Sequence, residues 1–83
     1  MKIYAVYDSK ADLYQSVMVQ KNKGSAIRGF AHAVNQEGTY LNQNPEDFTL
    51  FELAEWDEDN GKITPHKTNL SCGLATEFIN REN

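Results

Sequence analysis

Asn44-Pro45-Glu46-Asp47-Phe48-Thr49-Leu50-Phe51-Glu52-Leu53-Ala54-Glu55-Trp56-Asp57-Glu58-Asp59-Asn60-Gly61 decides how this chain folds. Pro45 suits the entrance to a strand, because it lacks the N–H that a ladder needs. Phe48–Trp56 then reads as a strand. Phe48, Leu50, Ala54 and Trp56 point one way, and Thr49, Phe51, Leu53 and Glu55 point the other. Asp57–Gly61 is a turn, with Asn60-Gly61 expected to supply positive φ. Apolar residues fall on both faces of the strand, so both faces call for a cover.

The chain before this stretch repeats the demand. Lys2–Asp8 reads as a strand rich in β-favouring Ile3, Tyr4, Val6 and Tyr7. A polar connection leads to a second strand, Tyr14–Gln20, centred on Ser16-Val17-Met18-Val19. Asn22–Asn35 is the clearest helix, because Ile27, Phe30, Ala31 and Val34 form one apolar stripe. Asn22 or Ser25 suits its N-terminal cap. Gly24 and Gly29 weaken the helix, and Gly29 is expected to let it approach the sheet closely. Gln36–Gln43 is a loop, with Gly38 ending the helix.

After the turn, Lys62-Ile63-Thr64 makes a short fourth strand that Pro65 stops. Ser71 then caps a short C-terminal helix carrying Leu74, Ala75, Phe78 and Ile79. The last four residues are expected to fray. The resulting order is ββαββα. It is an α+β domain, a small antiparallel sheet of about four strands with one main helix on one face. The first and third strands are apolar on both faces and belong at the centre. The second face then awaits the C-terminal helix and, beyond it, a second subunit; a homodimer is the expectation.

The totals narrow the function. At 83 residues the chain is expected to be one domain, residues 1–83, with a small core. A single cysteine forms no internal disulfide, and no Cys/His set has metal-site spacing. Nothing staples the fold, which again favours association. No apolar run is long enough to span a membrane, and the opening residues read as structure rather than as a signal peptide. The expected setting is a reducing cytoplasm.

Net charge is −4. Residues 1–42 hold five basic and three acidic residues, a net of +2, whereas residues 43–83 hold three and nine, a net of −6. An acidic total opposes strong nonspecific nucleic-acid binding, which depends on neutralising phosphates. The division still allows one basic face, and equally allows self-association through opposite charges.

No phosphate-binding glycine loop, nucleophile elbow or acid–base pair is present, so the chain reads as non-catalytic, with no cofactor. His32 and His66 read as surface or structural residues. Cys72 has no basic neighbour in sequence and reads as a partly buried small residue. The Glu55, Asp57, Glu58, Asp59 cluster lacks the ligand pattern of a calcium loop and reads as a solvated turn. Two features suit nucleic acid. Lys21, Lys23 and Arg28 lie at the helix N-terminus, where free N–H groups favour phosphate, with Lys2 and Lys10 alongside. Aromatics on a sheet, such as Tyr7 and Tyr14, stack unpaired bases when their rings are exposed.

Several motifs occur in a fixed order: Tyr4-Ala5-Val6-Tyr7-Asp8, Ala26-Ile27-Arg28-Gly29-Phe30, Pro45-Glu46-Asp47-Phe48-Thr49-Leu50, and Glu55-Trp56-Asp57 through Gly61. The set resembles the small nonstructural protein of gokushoviruses, phages of the Microviridae with circular single-stranded DNA genomes. The sequence departs from that pattern at Tyr14–Val19, where a proline-rich approach is expected, and at Trp56, where phenylalanine is more usual. The resemblance implies a protein absent from the mature capsid, acting in the infected bacterial cytoplasm. It implies binding of single-stranded DNA during genome replication or packaging, and supplies no catalytic residue. The acidic total keeps a second class open: a protein–protein adaptor acting on phage or host replication or assembly proteins.

Overall fold

The structure, a computed structural model, describes residues 1–80. Four strands form one antiparallel sheet: β1 Lys2–Asp8, β2 Leu13–Gln20, β3 Phe48–Trp56 and β4 Ile63–Leu74. Their order across the sheet is β2-β1-β3-β4, so the two strands that are apolar on both faces are the central ones. Helix α1, Lys23–Val34, lies across one face, and a single turn of helix, α2, Tyr40–Gln43, occupies part of the expected loop. Gly38 takes a positive φ of 84° just before α2.

Burial follows from the strand alternation. Tyr4 pairs with Glu52, Val6 with Leu50 and Asp8 with Phe48, so these side chains share the α1 side. The helix answers with Ala26, Phe30 and Val34, all buried, while Ile27 packs against the same cluster half-buried. The true stripe is therefore rotated slightly toward Ala26. Asn22 caps the helix, its Oδ1 accepting from the Ser25 N–H at 2.9 Å. Gly29 does not approach the sheet: it is exposed, with nothing within 4 Å of where a Cβ would stand.

The C-terminal third departs from the sequence reading. The fourth strand does not stop at Pro65 but continues for 12 residues to Leu74. β4 is an edge strand, where a proline is tolerated because its missing donor need not face a neighbour. Pairing with β3 outweighs the weak local preferences of His66–Ser71. The ladder absorbs the irregular sequence in two register shifts, one where Glu52 pairs with Leu70 and Ala54 with Pro65. Ser71 accordingly pairs with Phe51 and caps nothing.

The expected C-terminal helix is a single 3-10 turn, Ala75–Glu77. Its apolar residues do enter the core: Ala75 is buried, and Phe78 meets Phe30 edge to face at 5.8 Å. Gly73 makes this possible. Its φ is 131°, and a Cβ there would stand 2.8 Å from the Phe78 ring. Asn35 ties the segment down, donating from Nδ2 to the carbonyls of Ala31 and Phe78 and accepting from the Asn80 N–H. Of the residues expected to fray, Asn80 is thus anchored, and residues 81–83 lie outside the described residues.

All of this packing is on the α1 side. The second face of the sheet, expected to be covered in part by a C-terminal helix, receives no such cover from the described residues. In the acidic hairpin turn Gly61 takes positive φ and Asn60 does not.

Candidate nucleic-acid interface

The uncovered face is built from the residues of the central strands that point away from α1. Tyr7 of β1 pairs directly with Tyr14 of β2, and Ala5 pairs with Phe51 of β3. Cross-strand pairing brings the three rings together. Their centroids are 4.9 Å apart for Tyr7–Tyr14, 5.8 Å for Tyr14–Phe51 and 6.3 Å for Tyr7–Phe51. The two Phe51 contacts are edge to face, an arrangement that the ring quadrupoles favour. Ala5 is fully buried although no helix lies over it, while Tyr14 stays 44% exposed.

Polar tethers hold the two phenols. The Tyr7 hydroxyl donates to Asp12 Oδ1 at 2.5 Å, and Asp12 itself sits at φ 56° in the β1–β2 turn. That hydrogen bond pushes the Tyr7 phenol above its ordinary pKa, with burial and the Asp12 charge adding to the rise. The Tyr14 hydroxyl accepts from Asn69 Nδ2 at 3.0 Å, a contact between opposite edges of the sheet. The rings are therefore positioned, with one of them open to solvent.

The structure brings together Tyr7 and Tyr14 of the expected site and adds Phe51. It separates them from most of the expected cations. Lys2 opens β1 and Tyr7 lies five residues on, a span of roughly 17 Å along the strand. Lys2 and Lys21, with Lys62, line a concavity of about 520 Å³ at that far end, beside Trp56, Glu55 and Asp57. Lys2 Nζ also lies 3.6 Å from the buried Glu52 carboxylate. Lys23 and Arg28 are exposed on α1, on the opposite layer from the rings. Lys10 is exposed in the β1–β2 turn, at the aromatic end.

A second polar group lies beneath α1. Glu52 is 5% exposed, and His66 Nε2 donates to its Oε2 at 2.7 Å. His66 is thus a partner inside β4, rather than a residue following the last strand. The Tyr4 hydroxyl is buried without a hydrogen-bond partner, and burial, then the Glu52 charge, pushes this phenol up to about 12. Burial likewise raises the Cys72 thiol, with Lys23 opposing the shift, so this half-buried cysteine lacks activated-thiolate character.

Phe51 was legible in the alternation of β3, where it stands opposite to Phe48 and Leu50. Asn69 and the Glu52–His66 pair had no local signal, since each contact depends on the register breaks of β4. Among the described residues, no group of three His, Cys, Asp or Glu side chains is placed to hold a metal ion. Among them, too, no helix is long and apolar enough to cross a membrane.

A family model described as Phage ORF5 protein matches residues 1–78. The chain belongs to the Phage ORF5 protein family. The match spans both central strands, α1 and the uncovered face, so the expectation of a phage protein holds over the whole sheet. No curated protein and no solved structure matches.

Proposed function

We propose that this phage protein is a non-catalytic nonstructural protein of a gokushovirus that binds single-stranded DNA in the host bacterial cytoplasm, during genome replication or packaging. The observation that carries the reading is the ring cluster Tyr7, Tyr14 and Phe51 on the sheet face that α1 leaves uncovered. Unpaired bases stack on such rings whatever their sequence, at about 1–3 kcal/mol per base by alanine substitution. A four-stranded sheet backed by helix on one side is a recurrent platform for them. β2 is bracketed by Lys10 and Lys21 and carries no charge between Leu13 and Gln20, so it offers the backbone a path with a cation at each end. The net charge of −4 keeps the electrostatic share small, leaving binding dominated by stacking.

Fluorescence anisotropy with a labelled oligothymidylate, against duplex DNA of equal length, tests the reading. Single strands are expected to bind more tightly, and Phe51→Ala or Tyr14→Ala to weaken binding about tenfold. Lys10→Ala with Lys21→Ala should flatten the salt dependence, and Lys23→Ala with Arg28→Ala on the opposite layer should leave it nearly unchanged. No binding to single strands at low salt would sink the proposal. The adaptor reading would then replace it, supported by the acidic hairpin turn Asp57–Gly61, whose exposed carboxylates suit a basic protein surface.

A further inference from the structure

The sheet has two edges, and they are guarded unequally. The β4 edge carries Pro65, Lys67 and a broad register break between its pairings with Glu52 and Ala54. Prolines, charges and bulges of this kind keep an edge from pairing with another chain. The β2 edge, Leu13–Gln20, has no proline and no charged side chain. Its interruption is a single bulge, marked by Ser16 at φ 54° and a register shift against β1 between Tyr4 and Val6. Leu13, Tyr14, Val17 and Val19 are all exposed along it, Val17 at 68%.

We propose that β2 is a self-association edge, two copies of this chain pairing β2 to β2, antiparallel, about a twofold axis normal to the sheet. An antiparallel edge is self-complementary, as a twofold interface must be. With the axis between Ser16 and Val17, Leu13 stands opposite Gln20 and Tyr14 opposite Val19. Just beyond the strand ends, Asp12 then meets Lys21 of the second copy, and the axis repeats this opposite-charge contact. No like charges meet along the eight residues. The two sheets become one of eight strands, with both α1 helices on one side and both ring clusters on the other. The pairing is argued from the edge alone and is tested without DNA, because Lys21 also brackets the strand path proposed above.

Sedimentation equilibrium of the whole chain without DNA, from micromolar to millimolar, is the test. The expected mass at the upper end is twice 9.4 kDa. Val17→Lys places two like charges at the axis without touching the core and should return the mass to that of one chain. Lys21→Glu should weaken the dimer by roughly tenfold. Leu70→Lys, on the β4 edge, should leave it intact. A single-chain mass at every concentration would overturn the proposal. So would a dimer that survives Val17→Lys but dissociates with Leu70→Lys.

Discussion

The two faces of the sheet are made from the same strands yet are finished differently. On the α1 side, Tyr4, Val6, Phe48 and Leu50 meet Phe30 and Val34, and all are buried. On the other side, Tyr7, Tyr14 and Phe51 lean on one another and stay partly wet. Adjacent residues of β1 serve both, Tyr4 and Val6 inward to the helix and Ala5 and Tyr7 outward. The difference teaches that apolar alternation on both faces does not require two cores. Ala5, paired with Phe51, is fully buried on a face that still presents an aromatic surface.

Substitutions that separate structural from surface roles test this contrast. Phe30→Ala empties the centre of the packed face and should cost about 3–5 kcal/mol in chemical denaturation. An unchanged melting temperature would mean that α1 is not what holds the sheet. His66→Ala strips the buried Glu52 carboxylate of its shortest contact and should cost about 2 kcal/mol. His66→Gln, which keeps a donor, should recover part of the loss. Tyr14→Ala on the wet face should cost less than about 1 kcal/mol, as exposed positions do. A larger loss there would show that the rings form a second core rather than a platform.

The last contrast is invisible at neutral pH. Tyr4 ionises near 12, above its ordinary value in an unfolded chain, about 10. A folded pKa raised in this way gives stability that is complete below pH ~10 and is lost as pH rises through about 12. Spectrophotometric titration should therefore find one phenol ionising late, near pH 12, with unfolding accompanying it, and Tyr4→Phe should remove that step. Ionisation of Tyr4 at the ordinary phenol value, without unfolding, would contradict its burial.

Much of this architecture was legible in the residues, for physical reasons that differ by element. β1 and β3 announce themselves because β-branched and aromatic side chains fill both faces. α1 does so because its apolar stripe and Asn22 cap are local. β4 does not: Pro65 locally signals an ending, and only the nine-residue β3 beside it makes extension worthwhile. Of the apolar residues spaced there, Leu74 ends β4 opposite Thr49, while Ala75, Phe78 and Ile79 pack on the core as marked. Gly73 turns the backbone so that a single 3-10 turn delivers them. At the candidate site, the tyrosines were readable as surface aromatics. The fold sets Lys23 and Arg28 on α1, the opposite layer from these rings, and leaves Lys21 at the far end of β2, separations that nearness in sequence did not show.

The strand order also carries a kinetic consequence. β1–β2 and β3–β4 are local hairpins, but β1 joins β3 through pairs such as Asp8–Phe48 and Lys2–Glu55, separated by roughly forty to fifty residues. Closing that loop costs chain entropy before any contact compensates, so this junction is expected to limit the folding rate. α1 lies within the closing segment, and its apolar face has no seat until the strands meet. Until then each half exposes a bare central strand, and the time spent in that state sets how much protein is lost to aggregation.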